Sequence, residues 1–140
     1  MTRRRATILL HWSVATLLLL HLAAGGTNVM LAWAFALTGL AMLALALVFG
    51  LMSGPGPKLE GSLRRAFPAL QWGMYALLGW SAADTLAGLL DLSLPGPDAR
   101  TLLMSLFAAS SLHALFHLWR HTVLHDGALR RITPRLLHGM

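Results

Sequence analysis

The sequence predicts an all-α protein, a bundle of four transmembrane helices with both termini on the cytoplasmic side. Three observations predict it. Of the 140 residues, 56% are hydrophobic and 11% charged, with a mean hydropathy of +0.65, whereas an ordinary soluble domain carries roughly 25% charged residues. The chain holds four apolar stretches, each long enough for the roughly 20 residues that a helix needs to cross the hydrocarbon layer. Nearly all of the positive charge lies in segments that four alternating spans bring to one side. On this reading residues 1–140 form a single integral membrane domain.

The first span covers about 6–26. Its apolar core is too long for a cleavable signal peptide, and no small-x-small cleavage pattern leads into a polar domain. Gly25, Gly26, Thr27 and Asn28 form a short uncharged turn, which makes the second span, 28–52, an antiparallel neighbour of the first. The segment SGPGP from Ser53 to Pro57 stops that helix and leads into the polar stretch KLEGSLRRAFP. The third span covers 67–90, with Pro68 suited to a first turn. The segment LSLPGPDAR after Asp91 breaks the chain before the fourth span, 102–124. The sequence shows no internal repeat.

Charge sets the orientation. Arg3, Arg4, Arg5, Lys58, Arg64, Arg65, Arg120, Arg130, Arg131 and Arg135 fall on one side of four spans, and Arg100 falls on the other with Asp84, Asp91 and Asp98. The positive-inside rule then places both termini in the cytoplasm. The formal charge of +6 and the pI near 11.6 report topology and not nucleic-acid binding, because the arginines sit in short juxtamembrane segments. With no cysteine there is no disulfide, thiolate zinc site, iron–sulfur cluster or covalently attached haem. Any cofactor depends on histidine, carboxylate or methionine.

Five of the seven histidines, His11, His21, His113, His117 and His121, fall inside the spans. An ionisable side chain in hydrocarbon is costly and marks a functional site by default. His11 stands about one and a half turns from the cytoplasmic end of the first span and His117 about two turns from the same end of the fourth, at matching depth. His113, His117 and His121, spaced i, i+4, i+8, form one slowly rotating stripe. His21 lies roughly 15 Å deeper than His11 and about 80° around the helix, at a separate level. Bis-histidine haem b needs two neutral imidazoles from facing helices beside an apolar slot. His11 with His113, His117 or His121 supplies them.

Other chemistries fit less well. A zinc hydrolase helix reads His-Glu-x-x-His, and His113-Ala-Leu-Phe-His117 lacks the glutamate base. A proton relay needs carboxylates among the histidines, and Asp84 stands alone near the outer end of the third span. A small transporter is expected to show inverted repeats or broken helices in corresponding halves, and neither is present. Several of these residues also have structural readings. His121 and His125 beside Arg120 suit interface anchoring, His21 suits a hydrogen bond to a neighbouring helix's carbonyl, and His138 belongs to the tail. Trp12, Trp33, Trp72, Trp80 and Trp119 suit an interfacial belt or packing. Met30, Met42, Met52, Met74 and Met104 read as filler, and Ala46 with Gly50 as a small-xxx-small packing pair.

The C-terminal run LHALFHLWRHTVLHDGALRRITP resembles the end of the bacterial four-helix cytochrome b561 family. Leu112-His113 matches that family's leucine-histidine pair and Trp119-Arg120-His121 its aromatic-histidine cluster. His125-Asp126-Gly127 matches its turn, and Arg130, Arg131 and Pro134 its tail. Leu10-His11-Trp12 is similar to the motif that carries a haem-ligand histidine in the family's first helix. Gln71 and Tyr75 fall where members often place a histidine and a tyrosine. The second span departs from the pattern because it contains no histidine, and Ala99 stands where a further ligand is expected in the fourth.

The resemblance implies a reduced member of the family with one haem b, in the bacterial inner membrane. Such a protein moves electrons between membrane quinone and a partner or small oxidant, and some members are described as superoxide oxidases. It implies His11 and His113 as the metal ligands, with His117 as the spare ligand and His121 on the same stripe. Arg120, with Arg3, Arg4 and Arg5, is then placed to pair with propionates, since arginine matches carboxylates bidentately. A quinone head group is expected near the Asp126 turn. The alternative is a haem-free cytochrome b561-like structural or assembly subunit of a larger respiratory or photosynthetic membrane complex.

Overall fold

Polar flanks and apolar middles set the helix limits. The computed structural model describes residues 2–52 and 54–133; Pro134, Arg135 and His138 lie outside the described residues. The chain forms α1 (Arg3–Ala23), α2 (Val29–Phe49), α3 (Gly61–Leu89) and α4 (Ala99–Thr122), followed by a single 3-10 turn over Leu129–Arg131. Among the described residues there is no strand. α1, α2 and α4 are each long and apolar enough to cross a membrane. α3 is the longest helix at 29 residues, but Gln71, Ser81, Asp84 and Thr85 dilute its apolar run below that level.

Caps fix the boundaries. α1 ends where Gly26 takes a positive φ of 74° and donates its N–H back to the His21 carbonyl, a backbone state that glycine reaches without steric cost. The Asn28 side chain then accepts from the Leu31 N–H at 3.1 Å and starts α2. At the same end of the bundle Asp98 starts α4, accepting from the Thr101 N–H at 3.0 Å and the Thr101 hydroxyl at 2.6 Å. α3 differs from expectation. It begins at Gly61, so Pro68 stands inside the helix and not in its first turn. The reason is that the polar stretch Gly61–Ala66 is itself helical, so the apolar boundary at Phe67 is not a helix boundary.

α2 packs on both α1 and α3, α3 packs on α4, and α1 meets α4 only sparsely. Between apolar helices in lipid, close packing takes over the role that hydrophobic burial plays in water, and small residues permit it. Gly39 of α2 and Gly79 of α3 are the residues that do so. A Cβ on Gly39 would stand 2.9 Å from the Ala82 Cβ, and one on Gly79 2.5 Å from a Leu43 methyl. Ala46 is buried as expected, whereas Gly50 lies beyond the end of α2. Val14, Leu18, Phe35, Met42, Leu78, Ala82, Leu103 and Leu106 form the core.

The basic segments come together at one end of the bundle. Arg3 donates to the Gly50 carbonyl at 2.8 Å, Arg4 to the Arg130 carbonyl at 3.2 Å, and Lys58 to the His125 carbonyl at 3.2 Å. These bonds tie the start of α1, the α2–α3 loop and the segment after α4 to one another.

Candidate functional site

The sequence places His11 a little over two turns from the start of α1, and His117 and His113 about one and a half and two and a half turns from the end of α4. With these two helix ends at the same end of the bundle, the three imidazoles come to one level. They line one cavity of about 380 Å³, inside the range of roughly 300–1,000 Å³ found for small-molecule sites. The rings of His113 and His117 lie 4.5 Å apart at 61°. His11 is within electrostatic reach of both.

The rest of the wall is mainly apolar. α1 adds Ile8, Trp12, Val14, Ala15 and Leu18; α3 adds Met74 and Leu78, with Gln71 and Tyr75 as its polar groups; Met42 and Met52 close the side toward α2. Leu129, Ile132 and Thr133, beyond α4, complete it at the end where α1 begins and α4 finishes. The Trp12 indole N–H donates to the Ile132 carbonyl at 3.0 Å and holds this segment against α1.

The histidine stripe divides. His113 and His117 face the cavity, while His121 is not among its lining residues. Eight residues at 3.6 per turn carry His121 about 80° past His113, enough to leave the cavity face. The Nδ1 atoms of His117 and His121 are buried without a hydrogen-bond partner. For His117 this places an unsatisfied nitrogen on a residue of the cavity wall, and a buried polar atom of that kind costs roughly 1–3 kcal/mol unless something satisfies it. His21 stands apart in the core, 3% exposed and stacked on Phe35 with ring centroids 6.0 Å apart. Its Nδ1 has no partner, so the expected bond from that atom to a neighbouring carbonyl is not made. His125 is exposed and engages Lys58 through its carbonyl.

Arg120 does not face the cavity. Its guanidinium pairs with Asp126, donates to the Pro55 carbonyl at 2.6 Å and lies 5.0 Å over the Phe67 ring. It is 1% exposed and therefore does not snorkel to the interface. The Asp126 side chain is equally sealed, which leaves no open pocket for a head group at that carboxylate. Arg3 and Arg4 hold backbone carbonyls of the neighbouring loops. Three methionines read as filler, Met42, Met52 and Met74, prove to be cavity wall, and so do Leu129, Ile132 and Thr133, which the sequence marks only as part of the tail that Arg130 and Arg131 belong to.

Chemically, the site offers imidazoles from two helices, α1 and α4, around an apolar slot. That donor set suits a planar cofactor whose central metal takes nitrogen ligands. Among the described residues no group of three or more histidine, cysteine, aspartate or glutamate side chains gathers as a metal cage. Comparison with protein-family models, curated proteins and solved structures gives no match for this chain.

Proposed function

We propose that this chain is a membrane b-type cytochrome of the b561 type, with one haem b held between His11 of α1 and His113 of α4 and electrons passing between membrane quinone and a partner or small oxidant. The observation that carries this reading is the convergence of His11, His113 and His117, from two helices, on one apolar cavity. Haem b, when bound, supplies reversible one-electron chemistry. The chain's own residues hold and tune it. His11 and His113 donate neutral imidazole nitrogens, and His117, 4.5 Å from His113, buttresses the second ligand. Leu18, Leu78 and Leu106 keep water from the slot, which favours the less charged state of a buried redox centre.

In this reading α3 spans the membrane with the other three helices, and both termini lie in the cytoplasm of a bacterium. The clustering of Arg3, Arg4, Arg5, Lys58, Arg64, Arg65 and Arg130 at one end of the bundle supports that orientation. The test is stopped-flow mixing of the purified, oxidised protein in vesicles with a water-soluble ubiquinol analogue. Reduction of the chromophore within the dead time or on a millisecond scale supports quinone-linked electron transfer. A chromophore that dithionite reduces and quinol does not would remove quinone from the account.

A further inference from the structure

Two parts of the cavity wall differ in how firmly they are held. At the end where α1 begins and α4 finishes, the chain leaving α4 turns back across the cavity, with Leu129, Ile132 and Thr133 in its wall. This strap is pinned at several points. Trp12 donates to the Ile132 carbonyl, Arg4 to that of Arg130 and Lys58 to that of His125, and the buried Arg120–Asp126 pair fixes its root. Opening it means breaking these bonds together.

The flank differs. α1 and α4 pack sparsely against each other, and each contributes small side chains to the cavity lining, Ala15 from α1 and Ser110 and Ala114 from α4. Ala114 is exposed, and Ala15 and Ser110 are partly so. Both helices have the length and apolarity of membrane spans, so this thin wall of small side chains faces the bilayer. No hydrogen bond crosses it from these residues, and the large apolar residues nearby, Leu112, Leu115 and Leu118, point outward and are exposed.

We infer that haem b enters the cavity sideways from the lipid, through the seam between α1 and α4 at Ala15 and Ala114, while the Leu129–Thr133 strap stays closed. The inference rests on the haem reading of the cavity. A largely apolar macrocycle dissolves in the bilayer, and passage beside alanines requires a small separation of two loosely packed helices without the loss of an ion pair.

The experiment uses the full-length apoprotein in phosphatidylcholine vesicles mixed with haemin-loaded vesicles of the same lipid. Uptake is followed by the rise of the Soret band, and loss by transfer to excess apomyoglobin. Ala114→Trp and the milder Ala15→Leu narrow the seam, and Lys58→Ala loosens the strap. Helical circular dichroism confirms that each variant folds. The expected result is that both seam variants slow uptake and loss alike by about tenfold or more, the effect of a barrier raised by roughly 1.4 kcal/mol, and that Lys58→Ala loads at the wild-type rate. Unchanged uptake in the folded seam variants, or faster uptake in Lys58→Ala, overturns the lateral route. So does slower uptake combined with faster loss, which marks a damaged binding site and not a narrowed entrance. Failure of the wild-type protein to take up haem overturns the haem reading itself and is distinguishable from all of these.

Discussion

The Nε of Arg120 donates to Oδ2 of Asp126 at 2.8 Å, and both side chains are almost wholly sealed from solvent. The same guanidinium reaches the Pro55 carbonyl and stacks over Phe67, while the other Asp126 oxygen accepts from the Ala128 N–H at 2.9 Å. One pair therefore joins the end of α4, the α2–α3 loop, α3 and the root of the strap. Removing one partner of a buried pair leaves an uncompensated charge and costs about 3–5 kcal/mol. Asp126→Ala is expected to lower stability by that amount in detergent, read by thermal loss of helical ellipticity. Arg120→Met combined with Asp126→Leu is expected to recover most of it, because an apolar pair leaves no charge buried.

The two packing glycines give opposite expectations. In Gly39→Ala the new methyl meets the Ala82 Cβ at 2.9 Å, an atom that no rotation can move, so an overpacking cost of about 1–3 kcal/mol outweighs a helix-propensity gain of about 1 kcal/mol. In Gly79→Ala the obstacle is the tip of Leu43, which can change rotamer. Thermal midpoints are expected to fall for Gly39→Ala and to hold or rise for Gly79→Ala. The reverse order would contradict the α2–α3 interface described here.

The histidines separate by level. His11→Ala and His113→Ala are each expected to abolish the Soret band of the purified protein. His21→Ala, at its separate place in the core, is expected to leave it. His117→Ala is expected to retain haem with a weakened or shifted spectrum, because in the proposed reading His113 is the second ligand and the His117 ring lies 4.5 Å from it. Absorbance of the four variants at equal protein concentration checks this.

Asp98 carries a pH dependence. Its carboxylate accepts the Thr101 hydroxyl and the Thr101 N–H, and these bonds hold its pKa below the ordinary carboxylate range. The unfolded value is about 3.9. With the folded value lower, the cap stabilises the start of α4 fully above the unfolded pKa and is lost as pH falls through the folded one. Exchange of the Thr101 amide proton is expected to show more opening on acidification in the wild type. Asp98→Asn, which keeps an acceptor oxygen and cannot titrate, is expected to remove that dependence.

Much of this architecture is legible in the residues. Long apolar runs and their Gly, Pro and Asx punctuation reveal four helices, and the i, i+4 spacing of His113 and His117 opposite His11 reveals the cavity face. The start of α3 is not legible from apolarity, because Gly61–Ala66 is polar and still helical. Gly39 and Gly79 look like any glycines in apolar helices until the partner helix is in place. The role of Arg120 is set by Asp126, which the turn after α4 brings to it, and by Pro55 of the α2–α3 loop. Ile132 becomes cavity wall because the Trp12 indole captures its carbonyl, a contact between residues far apart in the chain.

The central claim is that one haem b sits between His11 and α4. The most direct test is the oxidised and dithionite-reduced absorbance spectrum of the detergent-purified protein, expressed with ample haem, together with a pyridine haemochrome assay. The expected result is a sharp reduced alpha band of b type, with a single haem per chain. A flat spectrum would contradict it and leave a haem-free membrane subunit, to be pursued through the proteins that copurify with it.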